Sequence, residues 1–209
     1  MLVRDVMHSP VITIAADATL AEANEVMWRQ GIRHLPVMDQ GRLVGILTDR
    51  DIRLATSRLA PVPFTETARV EAVMTAPVLT ADPLDPVEEA AQVMRQHKIG
   101  SLPVLEGREL VGIVTGIDLL DALIKMTGAA KPSGRLEVRL PDEPGRLAEL
   151  TRFLADRGLN IHSALTYPAD EDATHVVLRV NTQQTRPLAH ALRQAGFRVV
   201  WPPEKPWSR

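Results

Sequence analysis

The chain has 209 residues, 45% hydrophobic and 24% charged, no cysteine, and a formal net charge of -2 at pH 7. That composition suits a folded protein of about two domains, and it excludes disulfides, thiolate metal sites and generic nucleic-acid binding, which needs a basic excess. No apolar stretch reaches the roughly 20 residues of a membrane helix, and Arg4, Asp5 and His8 stand where a signal peptide needs an apolar run, so a cytoplasmic protein without a membrane role is expected.

In chain order, Pro10 to Ile14 reads as extended and precedes a helix whose Leu20, Ala23 and Met27 fall at helical spacing. A short strand at Leu35 to Met38, a turn at Asp39-Gln40-Gly41 and a second strand at Leu43 to Leu47 form a hairpin pattern. A helix follows from Thr48, whose hydroxyl suits an N-cap. The same order then recurs. Sliding the sequence by 67 positions aligns Val6-Met7 with Val73-Met74, Thr13 with Thr80, Leu35-Pro36-Val37 with Leu102-Pro103-Val104, and Asp51 with Asp118, giving 19 identities over the 46 columns from Val6 to Asp51. Agreement at that rate without a gap means an internal duplication, with repeats at 1–66 and 67–127.

Each copy carries Gly-apolar-apolar-Thr-x-x-Asp at a strand-to-helix junction, as Gly45 to Asp51 and as Gly112 to Asp118. A carboxylate can accept from both hydroxyls of a ribose, and a Thr hydroxyl with the free N–H groups of a helix start suits a phosphate oxygen. The same two residues can also simply cap the helix. These motifs resemble the tandem CBS domain over about Met1 to Lys125. The resemblance implies paired copies with two clefts, in which Asp51 and Asp118 hold ribose and Thr48 and Thr115 lie near phosphate. It also places Thr13, Pro36, Thr80, Ser101 and Pro103 around an adenosine nucleotide such as AMP, ADP, ATP or a related adenosyl compound.

The copies differ in charge. The first has Arg33-His34 where the second has Gly100-Ser101, and Arg50 and Arg53 where the second has Ile117 and Leu120. Arginine suits phosphate through its fixed fork of donors, so the first cleft is expected to prefer a phosphorylated ligand. The second either takes a less charged adenosyl compound or serves only the fold.

Gly128 to Gly134 is broken by Gly and Pro and reads as an interdomain linker. Beyond it a strand at Arg135 to Leu140, a helix through Leu147, Leu150, Phe153 and Leu154, and a strand at Asn160 to Tyr167 lead to a turn at Pro168 to Asp172. A strand at His175 to Val180, a helix at Arg186 to Gln194 and a strand at Arg198 to Trp201 complete a βαββαβ order, the ferredoxin-like arrangement. Asp142-Glu143-Pro144-Gly145-Arg146-Leu147 and Gly158-Leu159-Asn160-Ile161 resemble the ACT domain, which covers 135–209 and commonly binds amino acids between paired copies. That resemblance points to Asp142, Gly145, Asn160 and Ile161. Asp142 and Leu140 depart from the pattern of serine-binding members, so serine is not the expected ligand.

The fold class is therefore α+β, and the arrangement of modules resembles the acetoin-utilisation regulatory proteins of bacteria. It implies a homodimer that senses small molecules and answers to an unnamed protein partner, with no catalysis. The six histidines form no His-x-x-x-His pair, and there is no Gly-x-Ser-x-Gly elbow or Walker loop. The alternative is a structural dimerisation protein with vestigial clefts.

Overall fold

In the computed structural model, which describes residues 1–204, the first repeat becomes β1 (Ile14–Ala15), α1 (Leu20–Gln30), β2 (His34–Asp39), β3 (Arg42–Thr48) and α2 (Asp49–Ala55). Helix α1 starts at a reciprocal cap: the Glu22 N–H donates to Oγ1 of Thr19 at 3.2 Å, and the Thr19 N–H donates to the Glu22 carboxylate at 2.7 Å. It ends at Gly31, whose φ of 66° is the left-handed C-cap conformation. Its inner face is Leu20, Ala23 and Met27, the three residues that the spacing selects. Strands β2 and β3 pair antiparallel through Gln40-Gly41, where φ of 46° and 76° gives the two-residue turn that matches strand twist.

The second repeat supplies α3 (Val87–His97), β4 (Ser101–Glu106), β5 (Glu109–Thr115) and α4 (Gly116–Met126). Its hairpin keeps the register of the first: Pro36 faces Ile46 as Pro103 faces Ile113, and a bulge follows Val37 as one follows Val104.

The segments that lead into the repeats cross over. Val3 is buried with Leu102, Val104 and Val114 of the second repeat, while Val70 is buried with Leu35, Val37 and Leu47 of the first. Backbone bonds fix both crossings, from His8 N–H to Ile113 O at 2.9 Å with the reverse bond at 3.1 Å, and from Thr75 N–H to Ile46 O at 2.9 Å with the reverse at 3.0 Å. Glycine makes room for them. A Cβ on Gly112 would lie 2.7 Å from Met7 Sδ and 3.0 Å from His8 O, and one on Gly45 would collide with Met74.

The chain divides into two compact units at Ala122/Leu123, within α4. The second contains β6 (Gly134–Pro141), α5 (Arg146–Ala155), β7 (Ile161–Asp170), β8 (Ala173–Val180), α6 (Thr185–Gln194) and β9 (Arg198–Trp201). Its sheet order is β7-β8-β6-β9, fully antiparallel, the ferredoxin-like topology. Leu136, Val138 and Leu140 alternate inward from β6 against Leu150 and Leu154 of α5 and Leu188 and Leu192 of α6. The architecture is α+β. Two local expectations change: Pro168 and Ala169 extend β7, leaving a turn of only Glu171-Asp172, and Gly134 is the buried first residue of β6 rather than linker. The stretch after α4 is also held to the sheet, since Ser163 Oγ donates to Thr127 O at 2.6 Å. Among the described residues no helix is long and apolar enough to cross a membrane.

Leu136 is fully buried at the centre of the second unit. Leu136→Ala is expected to cost about 2–5 kcal/mol through lost transfer energy and a residual cavity. Chemical denaturation followed on the isolated transition of this unit reads that loss as a lower midpoint at unchanged slope.

Candidate functional site

The ends of the two hairpins gather most of the predicted nucleotide residues. His34 opens β2 opposite Thr48 at the end of β3, and Asp51 stands one helical turn into α2. The Asp51 N–H donates to Thr48 Oγ1 at 3.2 Å, while the Thr48 N–H and hydroxyl donate to Asp51 Oδ2 at 2.9 and 2.7 Å. In the second repeat Ser101 faces Thr115, and the matching three bonds to and from Asp118 measure 3.4, 2.7 and 2.7 Å. Thr-x-x-Asp is thus a reciprocal helix cap in both copies, and the cap consumes one carboxylate oxygen and leaves the other.

The fate of the other oxygen separates the copies. Asp51 is half-buried, and among the described residues its Oδ1 has no protein partner. Asp118 is only 6% exposed, and Nε2 of His8, on the crossing segment, stands 2.8 Å from its Oδ1. His8 carries no sequence signal for this role, because it becomes a neighbour of Asp118 only through the crossover.

The cationic cluster of the first repeat is smaller than its sequence suggests. Arg33 and Arg50 are exposed, but Arg53 turns to Asp49 at 3.1 Å, one helical turn back, and so cannot offer its fork freely. Burial pushes the His34 imidazole below its ordinary pKa, the Arg33 charge adds to the effect, and Asp49 and Asp51 oppose it. His34 therefore brings no full charge to a phosphate at pH 7. Its ring lies against the second repeat, where a Cβ at Gly100 would fall 2.9 Å from His34 Nε2. Pro36, Ser101 and Pro103 are buried within their strands, and Thr13 and Thr80 are exposed ahead of β1 and of the Ala81–Val104 bridge.

The C-terminal unit does not bring its four predicted residues together. Gly145 caps α5 with φ 92°, a conformation that favours glycine, and Asp142 N–H donates to Asp172 O at 3.0 Å. Asp142 lines a cavity of about 200 Å³ with Glu143, Thr166 and Arg146, and that arginine is paired to Glu143 at 2.9 Å and Glu149 at 3.2 Å. Asn160 and Ile161 line a separate groove of about 520 Å³ with Thr151 and Arg152. The Asn160 backbone is tied to Asn181, donating to its Oδ1 at 3.0 Å and accepting from its N–H at 3.1 Å.

Sequence alternation marks Glu137 as an outward polar residue of β6, yet it is only 7% exposed. Its carboxylate accepts from Tyr167 Oη and Arg135 at 2.6 Å each, and His175 Nδ1 lies 2.8 Å away with its ring stacked on Tyr167. Burial works to raise the Glu137 pKa, but the bonds from Tyr167 and Arg135 prevail and hold it below the ordinary carboxylate value.

Comparison with known families assigns both units. A CBS domain model matches residues 3–58 and 70–125, and an ACT domain model matches residues 134–196. The chain belongs to the CBS domain family. An ACT domain follows its CBS pair, and both are regulatory modules. The CBS pair of protein MJ0100, solved in complex with 5′-methylthioadenosine and S-adenosyl-L-methionine, is 33% identical with a TM-score of 0.54, covering 63% of this chain and 98% of that one. An acetoin utilization protein (AcuB) from Vibrio cholerae is 32% identical with a TM-score of 0.53, covering 63% of this chain and 98% of that one. Homoserine O-acetyltransferase of Methanococcoides burtonii is 39% identical over 119 residues, 56% of this chain but only 23% of the enzyme.

Within the CBS pair, the depressed pKa of His34 has a readable consequence. Its proton is lost in the folded state at a pH where the unfolded chain still holds it, so the stability linked to this group is complete above the unfolded value of about 6.5 and declines as pH falls through the folded one. A histidine-selective NMR titration should find the His34 imidazole titrating below a free histidine, and His34→Gln should flatten the acid limb of the stability profile. A midpoint at or above the free value would contradict the burial argument.

Proposed function

We propose that this CBS–ACT protein is a ligand-responsive regulator that binds an adenosine nucleotide at the Asp51 cleft. The observation that carries the reading is the Asp51 carboxylate, fixed through one oxygen by Thr48 and left with the other free at a helix start. A ribose diol needs such an acceptor, and Arg33 and Arg50 stand exposed nearby in sequence to receive phosphate. MJ0100 supports the adenosyl class, since its CBS pair holds 5′-methylthioadenosine and S-adenosyl-L-methionine. Thr13 and Pro36 complete the proposed first site, and Thr80, Ser101, Pro103 and Thr115 belong to the second with Asp118. A cytoplasmic location is the one that suits such a ligand. No turnover is proposed: relatives that are enzymes, among them homoserine O-acetyltransferases and L-aspartate semialdehyde sulfurtransferases, carry the similar region as less than a quarter of their length.

In the ACT domain, the separation of Asp142 and Gly145 from Asn160 and Ile161 suits an amino-acid site completed between two copies. A homodimer is further supported by α4, which exposes Ile117, Leu120, Leu123 and Ile124 within one arc of its surface. Ligand occupancy would then act by favouring one arrangement of the dimer over another, and a protein partner would read the difference.

Two outcomes are expected. In titration calorimetry with AMP, Asp51→Ala should weaken binding by about tenfold or more, the worth of a hydrogen bond to a charged acceptor, and Asp118→Ala should do less. Equal losses would remove the asymmetry, and heat-silent mixing in the wild type would remove the reading. Sedimentation at micromolar concentration should give a dimer that Leu120→Glu dissociates; a wild-type monomer would rule out the shared ACT site.

A further inference from the structure

We propose that His8 determines which of the two CBS clefts accepts a ribosyl ligand, by occupying the carboxylate oxygen of the second cleft that a ribose would use. The inference rests on the reading that Asp51 binds ribose, and it comes from comparing two positions that the duplication makes equivalent. His8 and Thr75 lie 67 positions apart and sit in the same backbone setting, each in a two-bond bridge to the strand of the opposite repeat, at Ile113 and at Ile46. Each bridge partner stands two residues before the Thr of the local Thr-x-x-Asp cap. Both side chains are therefore delivered to the same place beside a capping carboxylate.

There the two differ. A carboxylate offers about four lone-pair directions. In each copy two of them, on Oδ2, are taken by the threonine N–H and hydroxyl. A ribose diol is left with Oδ1. At Asp118 that atom has Nε2 of His8 at 2.8 Å, and the aspartate is buried. At Asp51 the equivalent residue is Thr75, too short to bring a ring across, and Oδ1 has no protein partner among the described residues. The His8 side chain is itself 71% exposed, so it closes the acceptor from the solvent side, where a ligand would arrive. A ribosyl ligand entering the second cleft must displace it and forfeit the contact with Asp118, a loss that no ligand meets at Asp51.

The backbone bridge does not use either side chain, so the two residues can be exchanged. The test is calorimetry on the full chain with 5′-methylthioadenosine, which carries the ribose diol without phosphate and so leaves the arginines of the first cleft out of the comparison. Wild type is expected to bind about one per chain. His8→Thr should add a second site, or tighten a weak one by about tenfold, and Asp51→Ala in the same chain should leave that new site intact. Thr75→His should weaken the first site by a similar factor, an independent reading should the His8 variant fold poorly. Two equal sites in wild type, an unchanged isotherm for both variants, or weaker second-site binding after His8→Thr would each overturn the proposal while leaving adenosyl binding standing. No binding by any form, His8→Thr included, would overturn both.

Discussion

The crossing of the two lead-in segments is the constraint on which the CBS pair depends. A hairpin and its helices present more apolar surface than one repeat can cover, and each core is closed by a valine from the other side, Val70 in the first and Val3 in the second. The reciprocal backbone bridges at Ile46 and Ile113 then satisfy edge groups of β3 and β5 that would otherwise face solvent. Neither repeat is complete alone, so the duplication is better described as one cooperative unit built from two similar halves. Gly45 and Gly112 are the covalent condition for this, because any side chain there would meet Met74 or Met7.

The crossover also sets the chemistry of the clefts. Thr48-Asp51 and Thr115-Asp118 are the same cap in sequence and nearly the same in geometry, and each would start its helix whether or not a ligand came. What surrounds the spare oxygen comes from elsewhere: His8 reaches Asp118 from the first repeat's lead-in, while the equivalent residue of the second's, bridged by its backbone to Ile46, is the shorter Thr75. A duplicated motif thereby becomes two different sites without any change in the motif itself. His34 adds to the asymmetry by filling the space beside Gly100 with a ring whose burial disfavours its charge.

The C-terminal unit solves a different problem. Its sheet buries one face under α5 and α6, as the alternation of Leu136, Val138 and Leu140 requires. On the opposite face of β6 the protein keeps a carboxylate, Glu137, charged by surrounding it with donors from Arg135 and Tyr167. The two predicted halves of its ligand site sit in separate depressions, with Arg146 already paired to two glutamates beside one of them. A bound amino acid would need groups that a single copy does not converge.

Much of this was legible in the residues alone. Periodicity placed the helices, because Leu20, Ala23 and Met27 must share a face, and turn chemistry placed the hairpins, because Gly41 in the first and Gly107 in the second adopt positive φ at little cost. The duplication located the Thr-x-x-Asp caps, and the order of elements gave the ferredoxin-like sheet. Local patterns carry that information since they depend on neighbours three or four residues away. The sequence misjudged the extent of β7, where Pro168 lies in a strand despite its missing N–H. Only the tertiary structure decided that His8 belongs to Asp118, that Val3 and Val70 trade places, that Glu137 is buried and that Asp142 and Asn160 stand apart. Each of these is a contact between residues distant in sequence, fixed by how whole faces pack, and no short-range pattern encodes it.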